Sequence, residues 1–249
     1  MHTAQAVRGR LYRPGSPFTA AELQSLASEG ALRPVLGDVF APAAESGTRG
    51  TRARAARALL GAQIRSAAVL CGETAAWVHL GRPAPQRIHI IAPDATPRPN
   101  LREPVLWQVH KVPLNPLEQM QAAGMALTTP ERTAEDIFLG VGTMGTRRPA
   151  DRLVDAHGWL REDLLFWPSR AGEEDDVFVP GEDEQRVLHH RLCLIGRLLE
   201  GVEDLEGMAA RMVERTKRSE HGEKGRVGRI AELLDQCISR RLPTVRYTS

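Results

Sequence analysis

The sequence predicts an α+β fold with a small N-terminal helix–hairpin unit, a central mixed α/β part and a mostly helical C-terminal third. Hydrophobic residues alternate over 87–92 and β-branched residues recur over 105–112, so both stretches indicate strands. Thr129-Pro130-Glu131 indicates a helix start, because Thr is a good N-cap, Pro suits the first helical position and an acid suits the first turn.

The N-terminal unit begins with a polar arm over residues 1–17, in which Arg10 to Arg13 is a candidate short strand. Thr19 and Glu22 have the capping-box spacing and predict a helix over 20–28. A short β-hairpin follows around the turn pair Gly37-Asp38, and it has the shape of a wing.

The rest of the chain divides into a linker, a central part and a C-terminal region. Residues 43–50 form the linker and 51–65 a helix. Further predicted strands lie at 67–71, 87–92, 104–112 and 125–127, and further helices at 73–80, 130–139, 148–158, 183–200, 204–218 and 224–240, with a tail strand at 242–247. The predicted domains are therefore 1–45, 51–160 and 161–249.

Composition places the chain among globular proteins of a reducing compartment. It has 249 residues and a formal net charge of +2, and it lacks the run of about 20 apolar residues that a membrane helix needs. We recognise no signal peptide. The three cysteines lie far apart with no CxxC pair, which argues against a disulfide framework or zinc site and predicts a cytoplasmic location.

Charge is distributed unevenly along the chain. Residues 1–65 carry nine Arg against four acids, residues 166–206 four Arg against eleven acids, and residues 207–249 ten Lys or Arg against five acids. Basic ends can hold phosphates in a salt-sensitive way. They can equally be solvated surfaces or pair with the acidic segment of the same chain.

Patterns that resemble catalytic or cofactor sites are incomplete. Gly140–Gly145 fits GxGxxG, but a dinucleotide site needs a strand before it and a helix after it, and here a helix precedes it. His89 and His110 would meet if their strands pair, yet two ligands do not complete a zinc site. Glu173–Asp176 lacks the spacing of a calcium loop. We therefore predict no catalytic residue, cofactor or metal.

Three local patterns occur together and in order. They are the hairpin end Gly37–Pro42, the segment Cys71–Gly81 (CGETAAWVHLG) and the segment Gly124–Asp136 (GMALTTPERTAED). Over residues 18–140 the chain resembles the AbiEi family of antitoxins and transcriptional regulators, found in type IV abortive-infection toxin–antitoxin systems. Thr74 stands where that family usually has Ser, and fewer residues precede the first helix than its winged helix-turn-helix uses.

The resemblance implies a DNA-binding antitoxin and repressor without enzymatic activity, which counteracts a nucleotidyltransferase-like toxin. Residues 1–45 would be the winged-helix-like unit, and a homodimer would support its short N-terminus. The helix over 20–28 would enter the major groove of duplex DNA, where side chains read base edges while arginines hold phosphates. The implied DNA-binding residues are Gln24, Ser25, Arg33, Arg49, Arg52, Arg54 and Arg57.

Two other functional classes stay open. A protein–protein interaction module would use the acidic segment and the helical C-terminus to bind a basic partner, without binding DNA. An enzyme would assemble its site from His89, His110 and the acidic loop.

Overall fold

A computed structural model describes residues 10–15, 17–92, 105–143, 182–216 and 223–239. These residues form both helices and two β-sheets, so the predicted α+β class is confirmed. The chain separates into two compact units, residues 1–133 and 134–249. Within the described ranges, no helix combines the length and the apolar character that crossing a membrane requires.

The first unit opens with a helix and a hairpin, as predicted. Helix α1 (Ala20–Ser28) starts with a complete capping box between Thr19 and Glu22. Strands β1 (Leu32–Leu36) and β2 (Val39–Pro42) pair antiparallel. Tyr12 adds an antiparallel bridge to Phe40 through two 2.9 Å backbone hydrogen bonds, so the arm contributes a third, very short strand next to β2.

The prediction of one continuous helix over 51–65 is wrong. The structure has two helices, α2 (Arg49–Leu59) and α3 (Ala62–Arg65), separated by Leu60 with an extended backbone (ψ 137°). Gly61, a poor helix former, follows that break. The guanidinium of Arg65 donates to the Leu60 carbonyl at 2.7 Å and 3.0 Å, which satisfies an acceptor that a continuous helix would have used.

A five-stranded mixed sheet forms the centre of the first unit, in the order β5-β4-β3-β7-β6. Its strands are β3 (Val69–Leu70), β4 (Ile88–Ile91), β5 (Trp107–His110), β6 (Gln119–Ala122) and β7 (Met125–Thr128). The pairs β3–β7 and β4–β5 are parallel, whereas β3–β4 and β6–β7 are antiparallel. The sequence did not predict β6.

Helix α4 (Gly72–Leu80) packs on this sheet and ends at Gly81, whose left-handed backbone (φ 94°) is the usual device for stopping a helix. One hydrophobic cluster joins the hairpin, α2, α4 and the sheet, with Leu36, Leu59, Trp77, Ile90 and Leu127 among its members. The predicted winged-helix-like unit and the start of the predicted α/β core therefore share a single core.

Helix α5 (Pro130–Phe138) contains the boundary between the two units. Its end forms a Schellman motif: the Gly140 amide donates to the Ile137 carbonyl, and the Val141 amide to that of Asp136. The GxGxxG segment thus continues from a helix and lacks the preceding strand of a dinucleotide site. Its last two residues lie outside the described ranges.

The second unit contains three further helices, α6 (Glu182–Leu198), α7 (Leu205–Thr216) and α8 (Glu223–Ile238), which confirms the helices predicted there. Helix α8 packs against both α6 and α7. The buried hydrophobic residues include Leu192, Ile195, Leu199, Met208, Met212, Ile230 and Leu234. The helix predicted at 148–158, the acidic cluster Glu173–Asp176 and the tail strand predicted at 242–247 lie outside the described residues.

Candidate nucleic-acid interface

The exposed side of α1 carries the two residues implied as base readers. Gln24 and Ser25 are both exposed. Their neighbour Leu23 is fully buried and anchors α1, which packs against β1. The Ser25 hydroxyl donates to a Glu29 carboxylate oxygen at 3.0 Å. Glu22 accepts from the Thr19 amide and hydroxyl, and those two bonds lower the pKa of its carboxyl. Among the residues that the structure describes, none forms a hydrogen bond with the Gln24 side chain, so Gln24 is the uncommitted member of the pair.

Arg13 braces the hairpin against α2. Its guanidinium makes two 3.0 Å hydrogen bonds to the two carboxylate oxygens of Asp38, in the hairpin turn. A third donor reaches the carbonyl of Ala58, near the end of α2, at 3.3 Å. The sequence does not predict this role for Arg13, because Arg13 and Asp38 are 25 residues apart and no local pattern links them.

Two of the implied phosphate contacts are freely accessible. Arg33 lies on β1 and Arg57 on α2, and both side chains are exposed. Within the part of the chain that the structure describes, neither forms an ion pair with a carboxylate. Because α2 packs against both strands of the hairpin, these two guanidinium groups belong to one helix–hairpin framework.

Arg52 has a different environment from the one the sequence implied. It is 8% exposed, and its guanidinium donates to the carbonyls of Gly47 at 2.6 Å and Val78 at 2.7 Å. Burial lowers its pKa, and the neighbouring Arg49 adds to that effect. The bonds to Val78 and to His79 satisfy carbonyls at the end of α4. Arg52 therefore holds α2 to α4, and we leave it out of the interface.

Arg49 and Arg54 are half-buried; Arg49 begins α2, and Arg54 lies at its middle. One Arg49 nitrogen contacts the Met120 sulfur at 2.8 Å, and Arg54 donates to the Thr51 hydroxyl at 3.0 Å. A Cβ on Gly50 would lie 3.4 Å from that of Ala123, so this end of the helix faces the β6–β7 turn. The four arginines of α2 thus do not form one surface.

His79 lies half-buried at the end of α4, and its Nε2 donates to the Thr128 carbonyl at 2.9 Å. Burial is the main cause that lowers its pKa, to about 4, and the positive charges of Arg49 and Arg52 act in the same direction. The bond to Thr128 and the Glu131 carboxylate oppose this shift only in part. His79 is consequently a neutral structural link between α4 and β7.

The segment Thr129–Arg132 also has a structural role. Thr129 Oγ1 accepts a hydrogen bond from the Arg132 amide at 3.2 Å, so the predicted N-cap is confirmed. The Arg132 side chain is 4% exposed; it forms an ion pair with Glu118 and donates to the Pro113 carbonyl at 3.0 Å. Arg132 therefore links α5 to the residues that precede β6.

The histidines of the sheet do come together. Nδ1 of His89 lies 3.2 Å from Nε2 of His110, because the strands that carry them, β4 and β5, pair with each other. Among the described side chains, no group of three or more His, Cys, Asp or Glu converges on a point where a metal ion could bind.

Comparison of the chain with protein-family models, with curated proteins and with solved structures finds no match.

Proposed function

We propose that the protein binds duplex DNA through its helix–hairpin unit and acts as an antitoxin-like transcriptional repressor. The observation that carries the proposal is the joint exposure of Arg33, Arg57 and Gln24 on β1, α2 and α1, three elements of one packed helix–hairpin unit. The sequence resemblance to AbiEi regulators supports the same function and suggests a nucleotidyltransferase-like toxin as the counterpart.

Rigidity of the framework supports this function. The capping box fixes the start of α1, the Tyr12 bridge extends the hairpin, and Arg13 ties the hairpin turn to α2. A surface that is already ordered loses little conformational entropy on binding. Exposed guanidinium groups on such a surface can hold phosphates while a helix side chain contacts base edges.

The proposal predicts different behaviour for arginines that are equally charged. Arg33→Gln and Arg57→Gln should each weaken binding to all duplexes. Each should also reduce the slope of log affinity against log salt concentration by about one unit, because a variant that contacts one phosphate fewer releases fewer counterions on binding. Arg82→Gln is the matched control: Arg82 is exposed but follows α4, outside the helix–hairpin unit, and its loss should leave the slope unchanged.

Fluorescence anisotropy with a labelled duplex from the region upstream of the gene, at several salt concentrations, makes this measurement. Gln24→Ala should change the preferred sequence with little effect on the slope. Absence of binding by the intact protein at low salt, or equal slopes for all three arginine variants, would show that this surface does not bind DNA.

A second candidate function is protein–protein interaction, and Leu117 favours it. This side chain is 87% exposed, on a single 3-10 turn (Pro116–Glu118) that Asn115 caps and Arg132 holds through Glu118. A rigidly presented apolar side chain suits a pocket on another protein. If Leu117→Ser abolishes binding to another protein while Arg33→Gln and Arg57→Gln retain that binding, a protein–protein interaction module describes the protein better than a DNA-binding repressor.

A further inference from the structure

The diagonal pair His89 and His110 occupies one side of the sheet. In the parallel register, His89 lies opposite Gln108 and Ile91 lies opposite His110, so the two imidazoles are diagonal neighbours. Their ring centroids are 5.4 Å apart and their planes are inclined by 39°. The facing atoms are Nδ1 of His89 and Nε2 of His110, at 3.2 Å.

Two facing imidazole nitrogens at this distance have two chemical uses. They can share one proton in an N–H···N hydrogen bond, or both can present lone pairs to one metal ion. Two nitrogens bound at the usual zinc distance in a tetrahedral site are about 3.3–3.4 Å apart. The observed separation of 3.2 Å is close to that of two nitrogens bound to one ion.

We propose that His89 and His110 bind one divalent transition-metal ion, with Zn²⁺ as the ion of matching geometry, through Nδ1 of His89 and Nε2 of His110. Water would occupy the remaining positions, and the exposed Gln108 lies on the same side of the sheet. Since no third strong ligand converges on the pair among the described residues, the site binds its ion reversibly and more weakly than a structural zinc site.

The surroundings of the pair suit this use. The hydroxyl of Thr74, on α4, accepts a hydrogen bond from the His89 amide at 2.9 Å and thereby fixes the backbone that carries the first ligand. His110 is only half-buried, which gives an ion access from solvent.

Isothermal titration of tag-free, EDTA-treated protein with ZnCl₂ tests the site. One Zn²⁺ per chain is expected, with affinity at least tenfold lower in His110→Gln. His190→Gln is the matched control, because His190 is an exposed histidine of α6, and its zinc affinity should equal that of the unchanged protein. Equal affinity in His110→Gln, or no zinc binding by the unchanged protein, would overturn the proposal and leave a shared proton as the only role of the pair.

A spectroscopic measurement on the unchanged protein keeps the test decisive if His110→Gln folds poorly. Long-range ¹H–¹⁵N correlation spectra report which imidazole nitrogens carry a proton or a metal. Zinc should shift Nδ1 of His89 and Nε2 of His110 together, at one equivalent. A spectrum in which zinc leaves both nitrogens unchanged would contradict the assignment. Neither experiment depends on DNA binding.

Discussion

At the scale of single residues, Thr129 shows how one hydroxyl organises a helix start. Its Oγ1 accepts the Arg132 amide at 3.2 Å, a donor that the first turn of α5 cannot otherwise satisfy. Thr129→Ala should therefore lower the free energy of unfolding by about 0.5–2 kcal/mol, whereas Thr129→Ser, which keeps the acceptor, should change it little. Urea denaturation of the three proteins measures the difference. Equal midpoints for the Ala and Ser variants would mean that the cap does not stabilise the fold.

Arg52 and Arg57 lie on the same helix but have opposite environments. Arg52→Met should destabilise the first unit by about 2–4 kcal/mol, because the carbonyls of Gly47 and Val78 lose a charged donor in a buried position. Arg57→Met, at an exposed position, should stay within about 0.5 kcal/mol of the unchanged protein.

When DNA binding is measured at a temperature where both variants are folded, Arg57→Met should have the larger effect of the two. Arg57→Met should reduce the salt dependence of the DNA affinity, whereas Arg52→Met should leave it unchanged. A reduced slope in Arg52→Met, with Arg57→Met unaffected, would reverse the roles assigned to these arginines.

At the scale of elements, the close contact of α6 with α8 requires a glycine, Gly196, which has no side chain. A Cβ at Gly196 would overlap the carbonyl oxygen of Cys237, and backbone cannot move aside as a flexible side chain can. Gly196→Ala should therefore cost about 2–4 kcal/mol, despite the higher helix propensity of Ala.

Gly228, an exposed residue of α8, provides the matched control for that substitution. In the part of the chain that the structure describes, nothing lies within 4 Å of a Cβ placed there, so Gly228→Ala should stabilise the protein by about 0.5–1 kcal/mol. Thermal unfolding followed by circular dichroism reports both changes. Melting temperatures that rise in both variants would show that α6 and α8 do not approach each other as closely as described.

The elements also show what sequence can predict. Strands β4 and β5 follow from local composition, and so do the caps at Thr19 and Thr129. Strand β6 does not, because Gln119–Ala122 becomes a strand through its pairing with β7 across a turn in which Ala123 has a positive φ of 48°. The break at Leu60 and the mixed order of the strands likewise depend on distant partners.

The candidate interface was predictable in composition but not in arrangement. A run of arginines over 49–57 is visible in the sequence, yet which of them is buried depends on the side of α2 that meets α4. The orientation of α2 leaves Arg57 exposed and places the Arg52 guanidinium against the carbonyls at the end of α4. The brace formed by Arg13 could not be predicted for the same reason.

At the scale of the whole molecule, stability should fall in mild acid. The folded-state pKa of His79 is lowered to about 4 from its ordinary value of 6.5, so the unfolded chain binds a proton between these values and the folded chain does not. The free energy of unfolding should thus decrease as pH falls from 6.5 towards 4, by up to about 3 kcal/mol from this group. Burial lowers the pKa of His110 and of His190, which adds in the same direction.

Urea denaturation at a series of pH values between 7.5 and 4.5 measures this loss. His79→Gln keeps a donor for the Thr128 carbonyl but cannot titrate, so the pH dependence of its unfolding should be shallower. The same steepness in both proteins would mean that His79 does not carry the effect.

The central strand β3 has only two residues, Val69 and Leu70, yet both neighbouring strands of the sheet depend on it. One of its partners, β4, follows soon after in the chain, whereas the other, β7, arrives only with Met125–Thr128. During translation, β3 therefore emerges from the ribosome long before its parallel partner exists. Until then its hydrophobic residues and one row of backbone groups stay uncovered, which is the period when a nascent chain is most exposed to aggregation and to chaperone capture. The middle of this sheet cannot close until the ribosome has released Thr128.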